Sequence, residues 1–133
     1  MRLRFIPTSV HSAIDHAVAP ALIAAPQIFR LRDASPEGIV ARAVGATEAV
    51  YSNLTDYELS PKRVLPMRAH LALDLVGGAT LALVPQLTGA RRRGLSHWLP
   101  HAAVGAMEMG MALLTNPEPR KKRRRRWLAA LPI

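Results

Sequence analysis

The sequence predicts an all-α fold, a four-helix transmembrane bundle built from two tandem two-helix repeats. Three observations carry that prediction. Two blocks of residues recur in the same order, prolines and polar runs cut the chain into four helix-length segments, and those segments are rich in Ala, Gly and Leu but poor in aromatics. No stretch sustains the apolar–polar alternation of a half-buried strand, and β-branched residues are sparse, so β structure is not expected.

The repeat is explicit. Phe5-Ile6-Pro7-x3-His11-x3-Asp15-x10-Pro26-Gln27 recurs as Val64-Leu65-Pro66-x3-His70-x3-Asp74-x10-Pro85-Gln86, at an offset of 59. Val44-Gly45-Ala46-x-Glu48-x5-Leu54-Thr55-Asp56 recurs as Val104-Gly105-Ala106-x-Glu108-x5-Leu114-Thr115-Asn116, at an offset of 60. The organisation follows: repeat one over 5–56 and repeat two over 64–116 make one domain, 1–116, and 117–133 is a basic C-terminal tail.

The first helix starts after Pro7 and ends near Pro26, because proline suits a helix start and disrupts an interior. Pro20, inside it, predicts a kink. The second helix runs from about Ile39 to Thr55. The third starts after Pro66 and ends near Pro85, and the fourth spans about His97 to Thr115 with Pro100 in its first turn. Polar connections fall at 30–38, 56–63 and 88–96.

Roughly 20 mostly apolar residues cross a bilayer core. Each predicted helix approaches that length and holds a single acid within its apolar stretch, and small residues suit close helix packing in lipid. Hydropathy favours the third and fourth helices; the second, with Arg42, Glu48, Ser52 and Asn53, is the weakest span. Arg2 and Arg4 ahead of an apolar stretch imitate a signal peptide, but His11 and Asp15 interrupt it, and the same segment recurs internally at 64–86.

The twice-repeated pattern of two apolar residues, Pro-x3-His-x3-Asp and a closing proline, with Val-Gly-Ala-x-Glu following, resembles the SPW-repeat family of small bacterial integral membrane proteins. Ala25-Pro26-Gln27 and Val84-Pro85-Gln86 stand where the family has Ser-Pro-Trp. The resemblance covers Phe5 to about Asn116 and implies location and topology, the bacterial inner membrane, but no activity.

Four acids, Asp15, Glu48, Asp74 and Glu108, fall one to each helix. His11 and His70 lie four residues before Asp15 and Asp74, on the same helix face. The stripes Ala41, Gly45, Glu48, Ser52, Thr55 and His101, Gly105, Glu108, Ala112, Thr115 are small or polar and should face the bundle interior. His11, Asp15, Glu48, His70, Asp74, His101 and Glu108 are therefore expected to form an intramembrane polar cluster, with Asp15 near Asp74 across a pseudo-two-fold axis and Glu48 related to Glu108 likewise. Di-iron bundles use Glu-x-x-His, a spacing this chain lacks, so neither a metal nor a cofactor is assigned. An ion, proton or metal pathway is the alternative use of such groups.

The chain has no cysteine, which removes disulfides and thiolate chemistry. It also has no phosphate loop, nucleophile elbow or zinc-protease motif, so an enzyme is not expected. Seven of its eighteen basic residues sit in one run, Arg120, Lys121, Lys122, Arg123, Arg124, Arg125 and Arg126, followed by Trp127, which leaves +2 of the net +9 (9 − 7) for the rest of the chain. That run fits anionic lipid headgroups, with Trp127 at headgroup depth, and places both termini in the cytoplasm by the positive-inside rule. Membrane lipids are the expected partners, self-association is compatible with the helix faces, and nucleic acid is disfavoured because the tail lacks interleaved aromatics. A soluble basic bundle binding nucleic acid is the remaining alternative.

Overall fold

A computed structural model describes residues 3–118. Among them the chain forms four α-helices and no strand: α1 (Thr8–Ile28), α2 (Pro36–Ser52), α3 (Met67–Leu87) and α4 (Leu95–Leu114), the last preceded by a 3₁₀ turn over Ala90–Arg93. Pro7 and Pro66 hold the extended conformation that opens α1 and α3. α1 continues through Pro20 into Ile28. α2 starts three residues before the expected Ile39, because the Ser35 hydroxyl caps it by accepting from the Gly38 N–H at 3.2 Å and Pro36 takes the first helical position. Gly89 and Gly94, at φ 76° and 121°, shape the turn before α4 where an L side chain would be strained.

α1 packs on α2 and α3 on α4, and α2 against α3 joins the two pairs. Both close pairings turn on the glycine of Val-Gly-Ala-x-Glu. A Cβ at Gly45 would lie 2.7 Å from the Ala19 carbonyl oxygen and 2.7 Å from Leu22 Cβ; one at Gly105 would collide with the Gly78 carbonyl oxygen and lie 2.9 Å from Ala82 N. All ten residues of the two stripes are buried.

The helix ends are clipped reciprocally. Asp56 N–H donates to the Leu65 carbonyl and Leu65 N–H to the Leu54 carbonyl, both at 2.8 Å, so the end of α2 holds the entrance of α3. Asn116 N–H donates to the Ile6 carbonyl at 3.0 Å and Ile6 N–H to the Leu114 carbonyl at 3.1 Å, so the end of α4 holds the entrance of α1. Thr55 and Thr115 thereby stand at the same end of the bundle as His70 and His11.

By length and composition, α3 is the one helix among the described residues that is apolar enough to cross a membrane. The expected tail site, residues 120–127, lies outside the described residues.

Candidate functional site, a buried His–Asp tetrad

The i, i+4 spacing puts His11 and Asp15 on one face of α1, and His70 and Asp74 on one face of α3. The two faces meet. His11 Nε2 and His70 Nε2 stand 3.1 Å apart. His11 Nε2 lies 3.3 Å from Asp15 Oδ1 and 3.0 Å from Asp74 Oδ2; His70 Nε2 lies 3.1 Å from Asp15 Oδ2 and 3.2 Å from Asp74 Oδ2. All four side chains are buried, with at most 5 % of any residue exposed. Among the described residues no lysine or arginine pairs with either carboxylate.

A second ring of partners orients the first. His11 Nδ1 lies 2.7 Å from Thr115 Oγ1, and His70 Nδ1 lies 2.8 Å from Thr55 Oγ1. Thr55 gives its only hydroxyl proton to the Tyr51 carbonyl at 2.7 Å, so it must accept from His70 Nδ1–H. His70 Nε2 is then the nitrogen turned into the cluster, a lone pair in the neutral ring. The Tyr51 hydroxyl donates to Asp74 Oδ1 at 2.9 Å, and the Tyr57 hydroxyl to Asp15 Oδ2 at 3.0 Å. Tyr57, in the α2–α3 connection, is fully buried; burial first, and then the Asp15 carboxylate, push its hydroxyl well above the ordinary tyrosine range, so it remains a donor at any physiological pH.

Glu48 and Glu108 are buried nearby but outside the tetrad. With His11, Asp15, Asp74 and Met107 they line a cavity of about 10 Å³. Both carboxylate oxygens of Glu108 and Oε2 of Glu48 have no hydrogen-bond partner among the described residues. His101 lies in the α4 segment nearer the other end of the bundle, where its Nε2 meets the Glu37 carbonyl at 3.0 Å. There the fully buried Glu37 carboxylate accepts from Arg93 at 2.7 Å and meets His97 Nδ1 at 2.5 Å. His97, at the start of α4, thus has the Glu37 carboxylate as its partner.

Of the seven expected residues, four make the tetrad, two flank it, and His101 belongs to this separate cluster. Tyr51, Tyr57 and Glu37 were not expected. The Ser35-Pro36-Glu37 run is the signal that could have put Glu37 in a first helical turn, but nothing local pairs it with Arg93. Glu37→Ala is expected to lower stability by about 1–2 kcal/mol, the worth of hydrogen bonds to charged groups reduced by the exposure of Arg93. A thermal melt measures it, and an unchanged midpoint would make the pair incidental.

Comparisons of the chain with protein-family models, with curated proteins and with solved structures return no match.

Proposed function

We propose that the chain is a polytopic integral membrane protein with a structural or interaction role, two tandem two-helix units joined at their buried polar centre. The observation that carries the proposal is an inverted distribution of polarity. Among the described residues, fourteen polar or charged residues are buried against thirteen apolar ones, while nineteen large hydrophobics are exposed. A globule in water is normally arranged the other way, because removing apolar surface from water is its main driving force. A bundle in lipid gains nothing by hiding leucine, and buries its ionisable groups against one another instead. Two apolar grooves support the same reading. One, about 270 Å³, is lined by Val18, Leu22, Ile28 and Val104 among others; the second, about 220 Å³, by Val40, Val44, Leu73 and Val76 among others. Both suit acyl chains.

The duplication is supported by the reciprocal clips and by the pairing of His11 with Thr115 and His70 with Thr55. The motif likeness to the SPW-repeat family is compatible with this architecture. A second reading, ion or proton handling, draws on the unpartnered oxygens of Glu48 and Glu108 facing a cavity about one water probe in size.

Alkaline carbonate extraction is expected to leave the protein in the membrane pellet; release into the supernatant would defeat the proposal in favour of a soluble bundle. Reporter fusions after Thr55 and after Pro119 should read cytoplasmic, and one within Arg91–Arg93 external. Deleting 120–126 should yield mixed orientation, because the remaining basic residues divide almost evenly between the two faces. A uniform orientation after that deletion would show that the tail does not set it.

A further inference from the structure

We propose that the tetrad is the binding site of one divalent first-row transition ion of the zinc class, held by His11 Nε2, His70 Nε2 and the carboxylates of Asp15 and Asp74. This goes beyond the membrane assignment and stands without it, since the same ligands would serve a bundle in water.

Three independent features point to a metal. The first is spacing. Nitrogen and oxygen ligands about 2.0–2.2 Å from a tetrahedral zinc-class ion lie about 3.3–3.6 Å from one another. The contacts of the two imidazole nitrogens with each other and with the carboxylates run from 3.0 to 3.3 Å, one at the edge of that range and four just below it, so an ion would enter with a slight outward shift of its ligands. His11, Asp15 and His70 can each place a ligand atom within 4.8 Å of the others, and Asp74 joins them through Oδ2, 3.0 and 3.2 Å from the two imidazole nitrogens.

The second is the direction of the lone pairs. Thr55 takes the Nδ1 proton of His70, so in the neutral ring Nε2 is a lone pair turned toward another imidazole nitrogen and two carboxylates. Acceptors gathered that closely repel unless something positive stands between them. Two imidazolium ions would neutralise the carboxylates but would face each other at 3.1 Å, and one imidazolium donating through Nε2–H would leave one carboxylate charge unbalanced. One divalent ion neutralises both carboxylates and accepts all four lone pairs.

The third is the outer ring. Each histidine has its other ring nitrogen on a threonine, and each aspartate has a tyrosine hydroxyl, Tyr51 on Asp74 and Tyr57 on Asp15. Metal-binding imidazoles and carboxylates are held in this way. Imidazole with carboxylate suits zinc and its neighbours rather than a thiophilic ion. Four protein ligands in a buried site leave no open position for substrate, so the ion pins α1 to α3 and does no chemistry.

Metal content tests this. The full chain, purified in detergent from cells supplied with Zn²⁺ and freed of loose ion, is expected to carry one ion per chain. Exchange with Co²⁺ should yield the intense visible absorption of a tetrahedral site. His11→Ala combined with His70→Ala should abolish stoichiometric binding. Thr55→Val, which spares all four ligands but removes the acceptor of His70 Nδ1–H, should weaken affinity about 10- to 100-fold. A folded wild-type chain with only substoichiometric metal overturns the proposal, and so does undiminished binding in the double histidine variant. If that variant does not fold, Thr55→Val decides, and unaltered affinity there also overturns it. Membrane extraction is read separately, so either assignment can fail alone.

Discussion

Asp74→Leu is expected to remove most of the protein's stability. Asp74 accepts from the Tyr51 hydroxyl through Oδ1 and meets both His11 and His70 through Oδ2. Leucine leaves three buried polar groups without that partner, at about 1–3 kcal/mol each. The total, about 3–9 kcal/mol, is comparable with the whole stability of a typical domain, about 5–15 kcal/mol. Asp74→Asn separates the two accounts of the tetrad. An amide still offers Tyr51 an acceptor, so hydrogen bonding alone would make the substitution nearly neutral. It also withdraws a negative charge and turns an NH₂ or a weak oxygen ligand toward the metal position. With an ion bound, Asn should therefore lose nearly as much as Leu. Thermal melts in detergent on the two variants measure the difference, and a neutral Asn beside a crippled Leu would count against the metal.

Gly45→Ala combined with Gly105→Ala is the second large effect. Each added methyl meets backbone of the partner helix: the Ala19 carbonyl in one case, the Gly78 carbonyl and Ala82 nitrogen in the other. A flexible side chain could rotate away, but a helix backbone moves only as a body, so each site forces its helix pair apart. Overpacking of this kind costs about 1–3 kcal/mol per site, and the two sites lie in different helix pairs, so the losses should roughly add. Gly110 supplies the internal control. A Cβ there meets nothing within 4 Å, so Gly110→Ala should be neutral or stabilise α4 by up to about 1 kcal/mol through helix propensity. Melting midpoints that fall equally for all three glycines would show that close approach is not what Gly45 and Gly105 provide.

Much of the helical frame was legible before any coordinates. The prolines at 7 and 66 mark two helix starts because the ring suits an opening position and obstructs an interior one. The i, i+4 spacing of His11 with Asp15, and of His70 with Asp74, was enough to put each pair on one face. The stripes through Glu48 and Glu108 are buried throughout, because steps of three and four keep residues on one side of a helix. Pro20, where a kink was expected, lies inside a helix that continues to Ile28.

Tyr51 and Tyr57 escaped notice for a definite reason. Repetition draws attention to positions present in both halves, and at the offset of 60 these two tyrosines face Met111 and Pro117. Both aspartates are oriented by the first half of the chain, one from α2 and one from the loop beyond it. Periodicity says nothing of a loop side chain that folds back into the interior. Glu37 escaped for a related reason, since Ser35-Pro36-Glu37 marks a helix start but its partner Arg93 is 56 residues away.

By itself, the sequence determined four helices, their order, and two equivalent His–Asp faces, since local propensity and 3.6-residue periodicity act over a few turns. Only the tertiary structure decided that the two faces meet at a point, with Nε2 against Nε2. That convergence depends on the end of α2 clipping the entrance of α3 and the end of α4 clipping the entrance of α1, contacts between residues up to 110 positions apart (Ile6 and Asn116). Local periodicity orients a side chain about its own helix axis but does not set the distance between axes. Gly45 and Gly105 set how closely the helices within each pair approach, and the threonines the clips carry into place decide which imidazole nitrogen looks inward.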